Sequence, residues 1–219
     1  MADFILHNYF RSSTSFRARI ALNLKKVTYE YKPVHLLNGE QLTPEYKKMN
    51  ALGSVPTLIH NGKVIPDSYA IIEYLEEIFP APALLPKDPY LRARVRQASE
   101  IINSGAHPLG NLRVQNYLVN HHGFTAEAKA EWTTHWYDQG LIAMEYTVKE
   151  FVGKYCFGDQ VTMADLFLVP QMVTAQRFEM DLSKYPNLKK AFENCMKLDA
   201  FKAAHPFRQP DTPEELRIP

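Results

Sequence analysis

Pro80-Ala81-Pro82-Ala83-Leu84-Leu85-Pro86-Lys87-Asp88-Pro89 places four prolines in ten residues. Each pyrrolidine ring removes a backbone donor and blocks a continuing helix, so the run reads as a linker. It also divides the chain by pattern. Before it, strand and helix signals alternate; after it, strand signals vanish. This predicts a mixed α/β domain over residues 1–80 and an all-helical domain over 88–219.

Upstream of the linker, Asp67 precedes Ala70-Ile71-Ile72-Glu73-Tyr74-Leu75, a helix with an acidic cap. Residues 55–59 and 63–65 flank Asn61-Gly62. Both turn residues tolerate positive φ, which predicts a hairpin with a type I′ turn. Thr43-Pro44-Glu45 combines an N-cap, a first-turn proline and a first-turn acid, and opens a short helix. Residues 29–34 alternate as a strand does, and residues 4–9 are aromatic and apolar as in a buried strand. Phe16, Ile20 and Leu24 fall four apart, on one face of a helix over 13–24. The order β-α-β-α-β-β-α resembles a thioredoxin-like domain. Downstream, helices are predicted over 89–120, 125–152, 162–179 and 187–204, and Thr162-Met163-Ala164-Asp165 reads as a capping box.

Composition excludes several function classes. The formal net charge of +1 leaves no electrostatic footprint for nucleic acid or a membrane surface. No apolar run approaches the length of a membrane span, and the N-terminus lacks the basic start of a signal peptide. Cys156 and Cys195 form no CxxC pair, which argues against a zinc ribbon or a disulfide scaffold and fits a reducing, cytoplasmic setting. They are expected in the core. His121-His122 has no metal-site spacing, so no metal is expected. No Walker loop or dinucleotide fingerprint is present.

Arg11-Ser12-Ser13-Thr14-Ser15-Phe16-Arg17 stands at the first strand-to-helix turn. Unpaired N–H groups and partial positive charge at a helix start can hold an anion or a thiolate. Most hydroxyl clusters before helices are simply caps.

The α/β half, the linker and the helical half together resemble a cytosolic glutathione transferase, and within that family the zeta class, which includes the maleylacetoacetate isomerases. The resemblance covers nearly the whole chain. It is carried by Ser12-Ser13-Thr14-Ser15-Phe16-Arg17-Ala18-Arg19-Ile20-Ala21-Leu22, by Gly53-Ser54-Val55-Pro56-Thr57-Leu58, and by Asp67-Ser68-Tyr69-Ala70-Ile71-Ile72-Glu73-Tyr74-Leu75-Glu76-Glu77. Tyr155-Cys156-Phe157-Gly158-Asp159-Gln160-Val161-Thr162-Met163-Ala164-Asp165 and Leu168-Val169-Pro170-Gln171 continue it, and so does the tail His205-Pro206-Phe207-Arg208-Gln209-Pro210-Asp211-Thr212-Pro213-Glu214-Glu215-Leu216-Arg217. Thr14 stands where many members carry cysteine, Phe16 where tryptophan is common, and His107 and Gly110 where animal members carry glutamine. The Thr14 type of turn also resembles bacterial maleylpyruvate isomerases of the same fold.

The resemblance implies glutathione as cofactor and a cis–trans isomerisation of a maleyl diacid in tyrosine and phenylalanine breakdown. The thiolate adds to the alkene, the new single bond rotates, and elimination returns glutathione. It implies a cis Val55-Pro56 bond that exposes backbone to the tripeptide. Asp67 and Ser68 are expected at its γ-glutamyl end, and Gln41 at its glycyl end. Ser12, Ser13 and Thr14 are the expected donors to the thiolate, Ser13 foremost. Tyr9 is expected to be a core or lining residue. Pro108 is expected to kink its helix and aim His107 and Asn111 at the peptide. Arg11, Arg113 and Arg177 are the candidate cations for a dicarboxylate substrate. A homodimer is implied. The rival readings are a maleylpyruvate isomerase, a glutathione transferase acting on α-halo acids, and a non-catalytic glutathione-binding scaffold.

Overall fold

A computed structural model describes residues 3–218. They form two compact units. One holds the described residues through Ala83 together with those from Lys197 onward; the other is Leu84–Met196. The break after Ala83 falls inside the proline-rich run. The segment from Lys197 onward, expected with the helical half, packs with the α/β half instead.

In the first unit the elements are β1 (Phe4–Asn8), α1 (Ser13–Leu24), β2 (Glu30–Pro33), α2 (Pro44–Met49), β3 (Thr57–His60), β4 (Lys63–Pro66) and α3 (Ser68–Ile78). The sheet order is β2-β1-β3-β4. β1 runs parallel to β2 and antiparallel to β3, and β3 pairs antiparallel with β4. Leu6 lies opposite Leu58 across the central pair, and both are fully buried. Asn61 and Gly62 take φ of 50° and 74°, as a type I′ turn requires. From α1, Phe16, Ile20 and Leu22 are buried, and each such side chain contributes about 1.5–3 kcal/mol.

Lys197 begins the return to this unit. The helix expected over 187–204 is two helices, because Leu198 leaves helical geometry with ψ of 135°. The second of them (Asp199–Ala204) packs on α1. His205 follows, and its Nδ1 accepts the Phe207 N–H at 3.2 Å. That acceptor role needs a neutral ring. Burial first, then the Arg208 and Arg19 cations, push the His205 pKa down to about 4. The folded value lies below the unfolded value of about 6.5. The neutral ring therefore supports the fold fully above the unfolded value, and that support is lost as pH falls through the folded one. The melting temperature is expected to drop over this window, and to drop less in His205→Asn. Parallel profiles would rule this out.

The second unit is helical. It comprises α4 (Pro89–Glu100), α5 (Leu112–His122), α6 (Ala126–Val148), α7 (Met163–Arg177) and α8 (Pro186–Cys195), after which the 199–204 helix of the first unit is α9. The helix expected over 89–120 is interrupted. A π-helical turn (Ile101–Ala106) and a 3-10 turn (His107–Gly110) separate α4 from α5. Pro108 cannot donate to the helical ladder, which accounts for the break. Gly140 of α6 lets this segment approach: a Cβ there would lie 2.4 Å from the Ala106 Cβ. The capping box at α7 forms, with the Thr162 N–H donating to Asp165 Oδ2 at 2.8 Å. Asp165 Oδ1 also accepts the Cys156 N–H at 2.9 Å, and Cys156 and Cys195 are both buried thiols. No described helix is long and apolar enough to cross a membrane.

Candidate active site

Ser12 is the N-cap of α1: its backbone is extended, and its Oγ accepts the Ser15 N–H at 3.2 Å. Thr14 Oγ1 donates to the Val55 carbonyl at 2.8 Å and lies 2.8 Å from Ser12 Oγ. A hydroxyl carries one hydrogen. Thr14 gives its hydrogen to Val55, so in the second contact Ser12 must be the donor and Thr14 the acceptor. Both hydrogens are committed within the protein. Ser13, half-buried, is the first helical residue beside them. Arg11 is exposed on the turn that leads in.

The Val55-Pro56 peptide bond is cis. Its loop is braced from beneath, since Tyr46 Oη and Asn50 Nδ2 both donate to the Ser54 carbonyl, at 2.8 and 2.9 Å. Gly53 takes φ of 64°, and a Cβ there would press on the Gln41 carbonyl at 3.0 Å. Gln41, which reads from sequence as a surface loop residue, is buried in a one-turn 3-10 helix (Glu40–Leu42). Its Nε2 donates to the Leu36 carbonyl at 3.3 Å, while its Oε1 is buried with no hydrogen-bond partner among the described residues. An orphaned buried acceptor costs about 1–3 kcal/mol, which a ligand N–H would relieve.

The Asp67 N–H donates to the Pro56 carbonyl at 3.2 Å. Asp67 itself takes φ of 75° and ψ of 132°, a strained backbone for a residue with a Cβ. Its Oδ1 caps α3 by accepting from the N–H groups of Tyr69 and Ala70, at 2.8 and 3.3 Å. Ser68 is fully buried, and its Oγ accepts from Arg17 Nη1 at 3.4 Å. One hydrogen-bonded path thus links Ser12, Thr14, the Val55–Pro56 loop and Asp67. It brings two helix N-termini, each with partial positive charge, to one loop.

The second unit holds His107, Asn111, Arg113 and Arg177. His107 begins the 3-10 turn and is half-buried. Asn111 caps α5, its Oδ1 accepting the Arg113 N–H at 3.0 Å, and Arg113 is exposed in the first turn. Arg177 ends α7, exposed, with its guanidinium 5.5 Å from the centre of the Phe178 ring. A cavity of about 750 Å³ in this unit is lined by Trp132, Trp136, Phe178 and Asp181 among others, and by none of the candidate site residues.

Tyr9 is 4 % exposed and packs edge-on to Phe10. Burial first pushes its phenol pKa up, so it stays protonated, as suits a core residue. Sequence reasoning missed Arg17 and Arg19, both fully buried within α1. The signal was present for Arg19, which falls three residues after Phe16 and so shares its inward face.

Two family models match the chain. Residues 11–78 match one described as "Glutathione S-transferase, N-terminal domain", and residues 143–199 one described as "Glutathione S-transferase, C-terminal domain". A Mus musculus protein named maleylacetoacetate isomerase is 45% identical over 215 residues, covering 97% of both chains. The holo structure of a bacterial zeta-class maleylpyruvate isomerase is 44% identical, with a TM-score of 0.93 over 95% of this chain and 100% of that one. Maleylacetoacetate isomerase from Anaeromyxobacter dehalogenans, with glutathione bound in its active site, is 41% identical, with a TM-score of 0.87 over 96% of this chain and 98% of that one. Another structure of that enzyme holds dicarboxyethyl glutathione and citrate in the active site.

Proposed function

The chain belongs to the glutathione S-transferase family, in its zeta class, and on that premise we propose that it is a glutathione-dependent cis–trans isomerase whose substrate is maleylacetoacetate. The observation that carries the reading is the hydrogen-bonded path from Ser12 through Val55–Pro56 to Asp67, with two helix starts at one loop. The residues present fit the tripeptide. The Gln41 Oε1 is a buried acceptor in want of a donor, and the α3 start sets its partial positive charge and the Ser68 hydroxyl where a carboxylate would be favoured.

Bound there, glutathione supplies a thiolate that adds to the cis alkene of a maleyl diacid and leaves again once the intervening single bond has rotated. The chain's own residues bind, orient and stabilise charge. Ser13 and the N–H groups of the first α1 turn favour the anionic sulfur, because they place donors and partial positive charge at the helix start. Ser12 and Thr14 hold that turn against Val55. Val55 pairs through its backbone with the cysteinyl portion. Asp67 offers a carboxylate to the γ-glutamyl ammonium, and Gln41 serves the glycyl end. Arg11, Arg113 and Arg177 are the candidate cations for a dicarboxylate, and His107 and Asn111 are further candidate contacts for the tripeptide. The dicarboxyethyl adduct and citrate in the Anaeromyxobacter relative support a diacid substrate. Cys156 and Cys195, free and buried, support a cytoplasmic setting.

A second reading, maleylpyruvate as substrate, is favoured by the TM-score of 0.93 to the bacterial maleylpyruvate isomerase and by the threonine at position 14. Offering both diacids with and without glutathione tests the choice. The expected result is turnover only with glutathione, and a higher kcat/KM for maleylacetoacetate. The opposite ratio selects the second reading. An absence of turnover on either acid would sink the isomerase and leave the scaffold.

A further inference from the structure

The tail motif His205-Pro206-Phe207-Arg208-Gln209-Pro210-Asp211-Thr212 has no part in the reading above, yet it reaches the turn that carries Arg11 and Ser12. That turn spans Tyr9 to Ser12 and is closed by the Ser12 N–H donating to the Tyr9 carbonyl at 3.1 Å. Its central Phe10 is gripped from both sides. Asp211 Oδ2 accepts the Phe10 N–H at 2.9 Å, and Arg19 Nη2 donates to the Phe10 carbonyl at 3.0 Å. Arg19 Nη1 donates to the Asn8 Oδ1 at 2.9 Å and to the Tyr9 carbonyl at 3.3 Å, while its Nε donates to the Ala204 carbonyl at 3.0 Å. The other Asp211 oxygen accepts from the Tyr31 hydroxyl.

The tail is itself rigidly knit. Gln209 Nε2 donates to the carbonyls of Ala203 and His205, each at 2.8 Å, and Thr212 Oγ1 donates to the Pro206 carbonyl at 2.7 Å. Gln209 and Thr212 are 5% and 2% exposed. Asp211 is therefore presented from a fixed segment rather than a loose terminus.

We infer that Asp211 is a positioning residue for the isomerisation: by holding the Phe10 N–H, it fixes the Tyr9–Ser12 turn and so aims Arg11 and, through the Ser12 cap, the start of α1 at the reacting molecules. The inference rests on the proposed site at the α1 start. Asp211 touches neither cofactor nor substrate in this scheme; it acts through the peptide at Phe10. Removing its carboxylate leaves that N–H without its acceptor, and the turn relaxes under Arg11 and the helix start.

The test compares Asp211→Ala, Asp211→Asn and Tyr31→Phe. In Asp211→Ala, kcat/KM for the diacid is expected to fall about tenfold, the scale of a small misplacement at a reacting site. Bound glutathione should ionise at a higher pH, and the Ser12 amide of the ligand-free protein should exchange faster. Asp211→Asn keeps an acceptor for the Phe10 N–H and an amide donor for the Tyr31 oxygen, so it should restore all three readouts to within about twofold of wild type. Should Asp211→Ala fail to fold, Tyr31→Phe, which frees one side of the carboxylate, is expected to show the same changes at lower amplitude.

A role in stability alone would lower the melting temperature of Asp211→Ala while leaving kcat/KM, thiol ionisation and Ser12 exchange unchanged. That result overturns the inference, as does Asp211→Asn behaving like Asp211→Ala. A wild type without glutathione-dependent turnover sinks the site reading and this inference together; a fully active wild type with an unaltered Asp211→Ala sinks only this one.

Discussion

Ser13→Ala is expected to lower glutathione-dependent turnover by about 100-fold, the order seen when one donor to a developing anion is removed. The expectation follows the family resemblance, which favours Ser13 as the donor to the sulfur. Thr14 commits its hydroxyl hydrogen to the Val55 carbonyl, and Ser12 commits its own to Thr14. Neither offers a hydrogen to a sulfur while that network stands, which agrees with that assignment. The pH at which bound glutathione ionises should rise toward the free-thiol value of about 8.5. Each unit of that rise corresponds to about 1.4 kcal/mol of lost preference for the anion. The sign follows directly: a donor to the charged form lowers the pKa, and its removal raises it. The thiolate absorbance of bound glutathione, followed against pH, reads this shift apart from turnover. Ser13 is the first residue of α1 and is half-buried, so the variant should fold normally. An unchanged titration would move the activation elsewhere.

Lys25→Met is expected to destabilise the protein by about 3–5 kcal/mol, the cost of breaking a buried ion pair from one side. The Lys25 side chain has no exposure and Glu76 has 7%. Its ammonium donates to Glu76 Oε2 at 2.6 Å, to the Phe79 carbonyl at 2.6 Å and to the Pro82 carbonyl at 2.7 Å. An ammonium carries three hydrogens, and all are used. The contact joins the end of α1, the end of α3 and the start of the proline-rich run. Methionine has nearly the same length but removes the ammonium from beside the Glu76 carboxylate. Thermal melting should show a drop on the order of 10 °C for a chain of this size. The double variant Lys25→Met/Glu76→Leu should recover part of it, because no charge is then stranded. A loss within about 1 kcal/mol, the range of surface pairs, would show that the pair is solvated in solution.

Much of the candidate site was legible without tertiary structure. The turn at 11–17, the Val55-Pro56 segment and the Asp67-Ser68 pair were named from the chain alone, and the fold links them. The rest was hidden where a side chain's partners lie far away. Gln41 reads as a surface glutamine until Gly53 and Leu36 enclose it. Arg17 carries no local sign of its burial, and Arg19 carries only its place on the Phe16 face. Asp211 reads as one acid in a proline-rich tail.

What the amino-acid order determined by itself is whatever backbone energetics decide within a few residues. Asn61-Gly62 takes its two positive φ values, α1 spans Ser13–Leu24, and Thr162 and Asp165 form their box, because turn dihedrals, side-chain periodicity and caps are local properties. Tertiary structure alone decided that Leu198 would divide a predicted helix and that the tail would pack with the first unit. It alone decided that two arginines would be buried in α1. Burying a guanidinium is strongly unfavourable unless its donors are met. Part of what meets those of Arg19 is the carbonyl of Ala204, 185 positions away, a distance that no short window of sequence can see.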